Sequence, residues 1–121
     1  MKKIIFILSA LFLSSYTANA STFFIEGLED VPVPDGITQA YDSGVAFGNE
    51  ESRFVEVYLE SSSLNFKDIK SFYQKTMPQL GWAPVKDTQN MISFSRENEI
   101  MEIVLEENKP LRIRLTVKSR F

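Results

Sequence analysis

Between residues 53 and 60 hydrophobic and polar positions alternate without a break. Val55, Val57 and Leu59 fall on one side; Phe54, Glu56, Tyr58 and Glu60 fall on the other. A period of two is that of a strand with one buried face. The same pattern returns in 91–95, with Ile92 and Phe94 inward, and in 99–106, with Met101, Ile103 and Leu105 inward. It returns once more in 111–118, with Leu111, Ile113, Leu115 and Val117 inward. Residues 44–48 predict a short strand joined to 53–60 by the turn Gly48-Asn49-Glu50-Glu51-Ser52, forming a hairpin. Residues 37–41 can begin that strand earlier, with Asp42-Ser43 as a bulge or break.

One segment changes period. Phe66, Ile69, Phe72, Tyr73, Thr76, Met77 and Leu80 recur at three- and four-residue spacing, with Lys67, Lys70, Gln74 and Lys75 opposite. This is the pattern of an amphipathic helix. Asn65 is a suitable N-cap, Asp68 three residues on completes a capping box, and Leu64 with Ile69 makes a hydrophobic staple. Pro78 removes an N–H and disfavours helical geometry at Met77, so regular helix ends or kinks there. Gly81 then supplies the left-handed closing residue, and Trp82 folds back on the last turn. The stretch FYQKTMPQLGW is thus accounted for as a helix and its termination.

The elements run β-β-α-β-β-β. They predict a single small α+β domain, one antiparallel sheet with one helix packed on a face. The short linker 106–110 predicts a hairpin in which Leu105 faces Leu111 and Glu102 faces Arg114, an opposite-charge cross-strand pair.

The start of the chain reads differently. Lys2 and Lys3 precede an apolar run, 4–13, and a polar stretch leads to Ala18-Asn19-Ala20. That is the layout of a cleavable signal peptide, 1–20, cut after Ala20. The run is shorter than the roughly 20 residues a spanning helix needs. No cysteine follows it for lipid attachment. The expected mature protein is exported, periplasmic or extracellular, with no stable membrane anchor. Residues 21–36 carry Pro32 and Pro34 and predict an extended N-terminal arm, with Phe23, Phe24 and Ile25 docked or the terminus frayed. The α+β domain is expected over 37–121.

Composition narrows the chemistry. The chain has 13 basic and 16 acidic residues, a formal charge of −3, and loss of the signal takes this to −5. An acidic balance argues against nucleic acid as a partner. Histidine and cysteine are both absent. That excludes a Ser-His-Asp triad, a Cys-His pair and a thiolate or imidazole zinc site. The remaining acid–base candidates, Glu97, Glu99 and Glu102, do not converge, since Glu99 and Glu102 point to opposite sides of a strand. No acidic loop has calcium-ligand spacing. The expectation is therefore a protein without enzymatic activity, cofactor or metal.

Phe72-Tyr73, Met77-Pro78-Gln79-Leu80-Gly81-Trp82 and then Phe94-Ser95-Arg96-Glu97 resemble a family of small exported bacterial proteins of unknown function. That family shares an FY…LP-x-LGW helix end followed by an F-x-R-E strand. The likeness covers about residues 31–117, with Met77 in place of the usual Leu. It implies the fold and export, and supplies no active-site residue.

The polar sides of the strands hold more apolar residues than water requires: Phe54, Tyr58, Ile100 and Val104, among Glu56, Glu60, Glu102, Arg112, Arg114 and Lys118. Either the N-terminal arm covers them, or they are a partner-binding patch with a charged rim, or they are simply exposed. Arg112, Arg114, Lys118 and Arg120 alternate along the last strand. They are placed to clamp an anion or to be neutralised by nearby glutamates. Phe54, Tyr58, Ile100, Val104, Arg112 and Arg114 are the candidate face. The expected function is a non-catalytic interaction module for a protein or envelope component. The alternative is a domain that holds a small apolar or anionic ligand between sheet and arm.

Overall fold

The structure is a computed structural model that describes residues 23–25, 27–48 and 52–120. The signal segment, the cleavage site at Ala20 and residues 49–51 of the predicted turn lie outside the described residues, as does the Phe23 side chain.

Among the described residues eight strands and one α-helix follow in order: β1 (Phe23–Ile25), β2 (Leu28–Val33), β3 (Thr38–Gly48), β4 (Arg53–Ser61), α1 (Phe66–Thr76), β5 (Ala83–Asp87), β6 (Met91–Arg96), β7 (Glu99–Asn108) and β8 (Leu111–Ser119). The last six form one antiparallel sheet ordered β3-β4-β8-β7-β6-β5, and β1 and β2 pair in a separate hairpin. The α+β class with one helix on an antiparallel sheet is as expected, but there is more sheet than the sequence pattern showed. Within the six-stranded sheet the missed strand is β5, whose residues alternate too little to signal it: all five are exposed. The hairpin strands β1 and β2, read as one extended arm, are the other two. β3 does begin at Thr38, and its register with β4 shifts between Ala40 and Val45.

The helix follows its sequence signals closely. Asn65 accepts from the Asp68 N–H at 2.9 Å, and the Asp68 carboxylate accepts from the Asn65 N–H at 3.0 Å. Beyond Thr76 the backbone tightens into a 3₁₀ turn, Met77–Leu80, starting at Pro78's neighbour as the missing N–H requires. Gly81 closes it at φ 94°, and the Trp82 N–H donates to Met77 O at 3.0 Å. Trp82 is buried with the Arg96 guanidinium 4.3 Å above its ring. Leu80, expected on the buried side, is exposed, because the switch to three residues per turn rotates it off the apolar stripe.

Two corrections bear on the candidate face. The first is the arm. It is a folded hairpin rather than a single extended lead-in, and it lies on the same side of the sheet as α1. Ile25, Leu28, Val31 and Val33 join Val55, Val57, Ile103, Leu115 and Tyr73 in one core. The Tyr73 hydroxyl donates to Pro32 O at 2.8 Å, and burial pushes its phenol pKa well up. At its far end Asp30 meets Arg96 at 2.8 Å and Arg53 at 3.8 Å, and Arg53 is also held by Glu99 at 3.0 Å. Burial acts to raise the Asp30 carboxyl. The Arg96 hydrogen bond, Asp30's own backbone and the two arginine charges outweigh it and hold it below its ordinary range.

The second correction is register. Leu105 faces Ile113, Asn108 faces Leu111, and Glu102 faces Thr116. A shift between Leu105 and Glu107 inserts a residue, so the hairpin closes later than even alternation predicted, while every face assignment is kept.

Candidate functional site

Four adjacent strands make the part of the outer face, turned away from helix and hairpin, that bears on the candidate site; β6 and β5 extend it with Met91, Ser93, Ser95 and Lys86. β3 contributes Thr38, Ala40, Val45 and Phe47; β4 contributes Phe54, Glu56, Tyr58 and Glu60. β8 contributes Arg112, Arg114, Thr116 and Lys118, and β7 contributes Ile100, Glu102 and Val104. The six predicted site residues therefore do share one face. They do not form one patch, because the central strand β8 divides them: Phe54 and Ile100 flank Lys118, and Tyr58 and Val104 flank Arg114.

The cations on that strand are already engaged. Arg112 forms an ion pair with Glu60, and its guanidinium sits 4.6 Å from the Tyr58 ring centroid. Arg114 lies 3.7 Å from Glu106, and Lys118 lies 3.9 Å from Glu102. A guanidinium held by both a carboxylate and a ring would have to give up those contacts to clamp an anion. The four apolar side chains are each half-buried among these stems. The centre of the face is a solvated lattice of opposite charges, and the arm does not cover it.

The border with β3 is different. Phe47 is 65% exposed and Val45 47% exposed, and the Phe47 ring stacks on Phe54 at 5.3 Å. Phe47 and Val45 were missed as site residues, although the hairpin places them in phase with Phe54. Beside Val45 stands Glu56, whose carboxylate makes no ion pair or hydrogen bond among the described residues.

Two of the hollows among the described residues lie well away from this border. An open groove of about 930 Å³ runs along the start of α1 and is lined by Lys67, Asp68, Lys70, Asp87 and Asn90 among others. Lys70 bridges it, 2.6 Å from Asp87 and 2.9 Å from Thr88 O, and thereby holds the Asp87 carboxyl below its usual range. A smaller cleft of about 390 Å³ opens between the hairpin and β3, lined by Phe24, Ile25, Val33, Ile37, Leu59, Thr38 and Gln39. Among the described residues no group of three or more carboxylates is placed to hold a metal ion. No helix among them is long and apolar enough to cross a membrane.

No protein-family model matches the chain, and no curated protein or solved structure shows significant similarity to it.

Proposed function

We propose that the protein is an exported, non-catalytic interaction module that binds a protein partner along the β3 side of its uncovered sheet face. The observation that carries this reading is the placement of Val45 and Phe47. Two large apolar side chains are exposed beside the Phe54 ring, on a face that neither helix nor hairpin shields. Aromatic side chains with a charged surround are where binding energy concentrates in protein interfaces. Export follows from the layout of residues 1–20 and accords with the likeness to small exported bacterial proteins.

A photo-crosslinking side chain at position 47, introduced in cells and activated in the intact envelope, tests the binding. A discrete adduct that disappears when the crosslinker moves to position 86, at the far edge of the same face, is the expected result. Free monomer alone at position 47 overturns the reading. For export, Ala18→Asp with Ala20→Asp should leave the precursor uncut; an unprocessed wild-type N-terminus would refute the targeting argument.

A second reading rests on the cleft between hairpin and β3. Its size falls within the roughly 300–1,000 Å³ of small-molecule sites, and none of its lining residues is charged. It would take a neutral, apolar molecule. Displacement of an environment-sensitive fluorophore by a medium-chain fatty alcohol, lost in Phe24→Lys, tests it.

A further inference from the structure

The two edges of the six-stranded sheet are built differently. β5 is guarded: Pro84 offers no N–H, the register slips between Pro84 and Lys86, and Lys86 places a charge on the strand. Its end is tied down by α1, through Lys70 and through Gln74, which donates to Asp87 at 2.8 Å. Proline, lysine and a bulge are the devices by which natural edges refuse another strand.

β3 has none of the first two. It pairs only with β4 among the described residues, and residues 38–48 contain no Pro, Lys or Arg. Its irregularity lies between Ala40 and Val45, which leaves 45–48 in regular register with β4. Over that stretch Val45 and Phe47 line the outer face, while Ala46 and Gly48 on the other side add almost no bulk.

We infer that β3 accepts an extended segment of the partner as a seventh strand, paired along 45–48. This deepens the interaction-module reading and rests on it. Main-chain hydrogen bonds would supply the attachment, and alternate side chains the selectivity. The neighbours define those side chains. One faces Phe47 and is apolar or aromatic. Another, two residues away, lies beside Val45, two strands or about 10 Å from Glu56. A side chain long enough to reach over Val45 to that carboxylate, which has no partner among the described residues, is Lys or Arg. The intervening residue meets only Ala46 and is unrestricted. A second copy of this chain does not fit that description, because β3 brings no cation to answer Glu56.

The test uses a capped peptide, Thr-Val-Thr-Arg-Thr-Val-Thr-Arg-Thr, titrated into the mature protein and followed by amide NMR. Saturable binding is expected, with the 45–47 amides shifted and protected from exchange. N-methylating one alternating set of peptide nitrogens should weaken binding at least tenfold, and so should Val45→Lys. Glu56→Gln should weaken it several-fold at low salt and leave the melting temperature unchanged. Replacing both peptide arginines with glutamate should match or exceed that loss.

Absence of saturable binding overturns the inference. So does binding indifferent to both N-methylated sets and to Val45→Lys. A dimer in sedimentation that Val45→Lys dissolves would assign the edge to a second copy and also overturn it. If the position-47 crosslinker still captures a partner while the peptide fails, strand addition falls and the interaction module stands. If neither engages, both fall.

Discussion

The two faces of the sheet are made by the same strands and obey opposite rules. On the side of α1 and the hairpin, Val57, Leu59, Met101, Ile103, Ile113, Leu115 and Val117 are all nearly inaccessible, and they are sealed from above by Ile69, Tyr73, Leu28 and Val31. On the other side, apolar residues of similar size stand half-exposed between ion pairs. Stability resides on the first face, where apolar area leaves water entirely. Partly exposed ion pairs such as Arg114–Glu106 add little, because solvent screens them. The second face is therefore free to change with little cost to folding.

The largest effect should come from removing the lid. Deleting residues 23–33 strips four buried aliphatic side chains from the core, each contributing roughly 1.5–3 kcal/mol before the entropy of ordering the hairpin is counted. Such a loss approaches the whole stability of a small domain, about 5–15 kcal/mol. The deleted protein should lack a cooperative melting transition and bind an apolar dye. A sharp transition near the wild-type temperature would show that the hairpin is dispensable.

Neighbouring residues sharpen the contrast between faces. Ile103→Ala should cost about 2–5 kcal/mol in denaturant unfolding, because the fully buried site leaves a cavity. Val104→Ala, one residue on and half-exposed, should cost under about 1 kcal/mol. Equal losses would mean that the outer face is packed against something.

Gly81→Val comes next. An added Cβ would meet only the Arg96 Cδ, at 3.6 Å, so space is not the obstacle. The cost is the left-handed backbone at φ 94°, roughly 1–2 kcal/mol for a β-branched residue. Trp82 fluorescence should stay blue-shifted in the native variant, with an earlier unfolding midpoint. An unchanged midpoint would contradict that conformation.

The smallest effect depends on pH. The Asp30 carboxyl is held below its ordinary value in the folded state by Arg96 and Arg53, against the pull of burial. Its contribution is therefore present above the unfolded-state value, about pH 4, and is lost as pH falls through the lower folded value. Asp30→Asn should destabilise at pH 7 by about 0.5–1 kcal/mol, the range for partly exposed pairs after solvent screening. The gap between variant and wild type should narrow as pH falls below the unfolded-state value and through the lower folded one. A gap that persists in acid would mean that Asp30 acts through packing rather than charge.

The sequence by itself determined what is local. Period two placed every buried apolar residue of β4, β6, β7 and β8, because a strand's pleat makes the face a matter of parity alone. Asn65, Asp68, Pro78 and Gly81 specified both ends of α1, because caps and breakers act within a few bonds of themselves. What depended on distant contacts was not legible. Strand β5 has no buried face to print a pattern, and it exists because β6 offers it an edge. The β7–β8 register lies two residues from the expected one, Leu105 facing Ile113 rather than Leu111, and an even offset is invisible to parity. The candidate residues were assigned to the correct face, yet β8 was shown to divide them only once it lay between β4 and β7. The hairpin's side of the sheet was decided by Tyr73, Arg53 and Arg96, each far from it in sequence. That choice left the outer face bare, and only tertiary packing could make it.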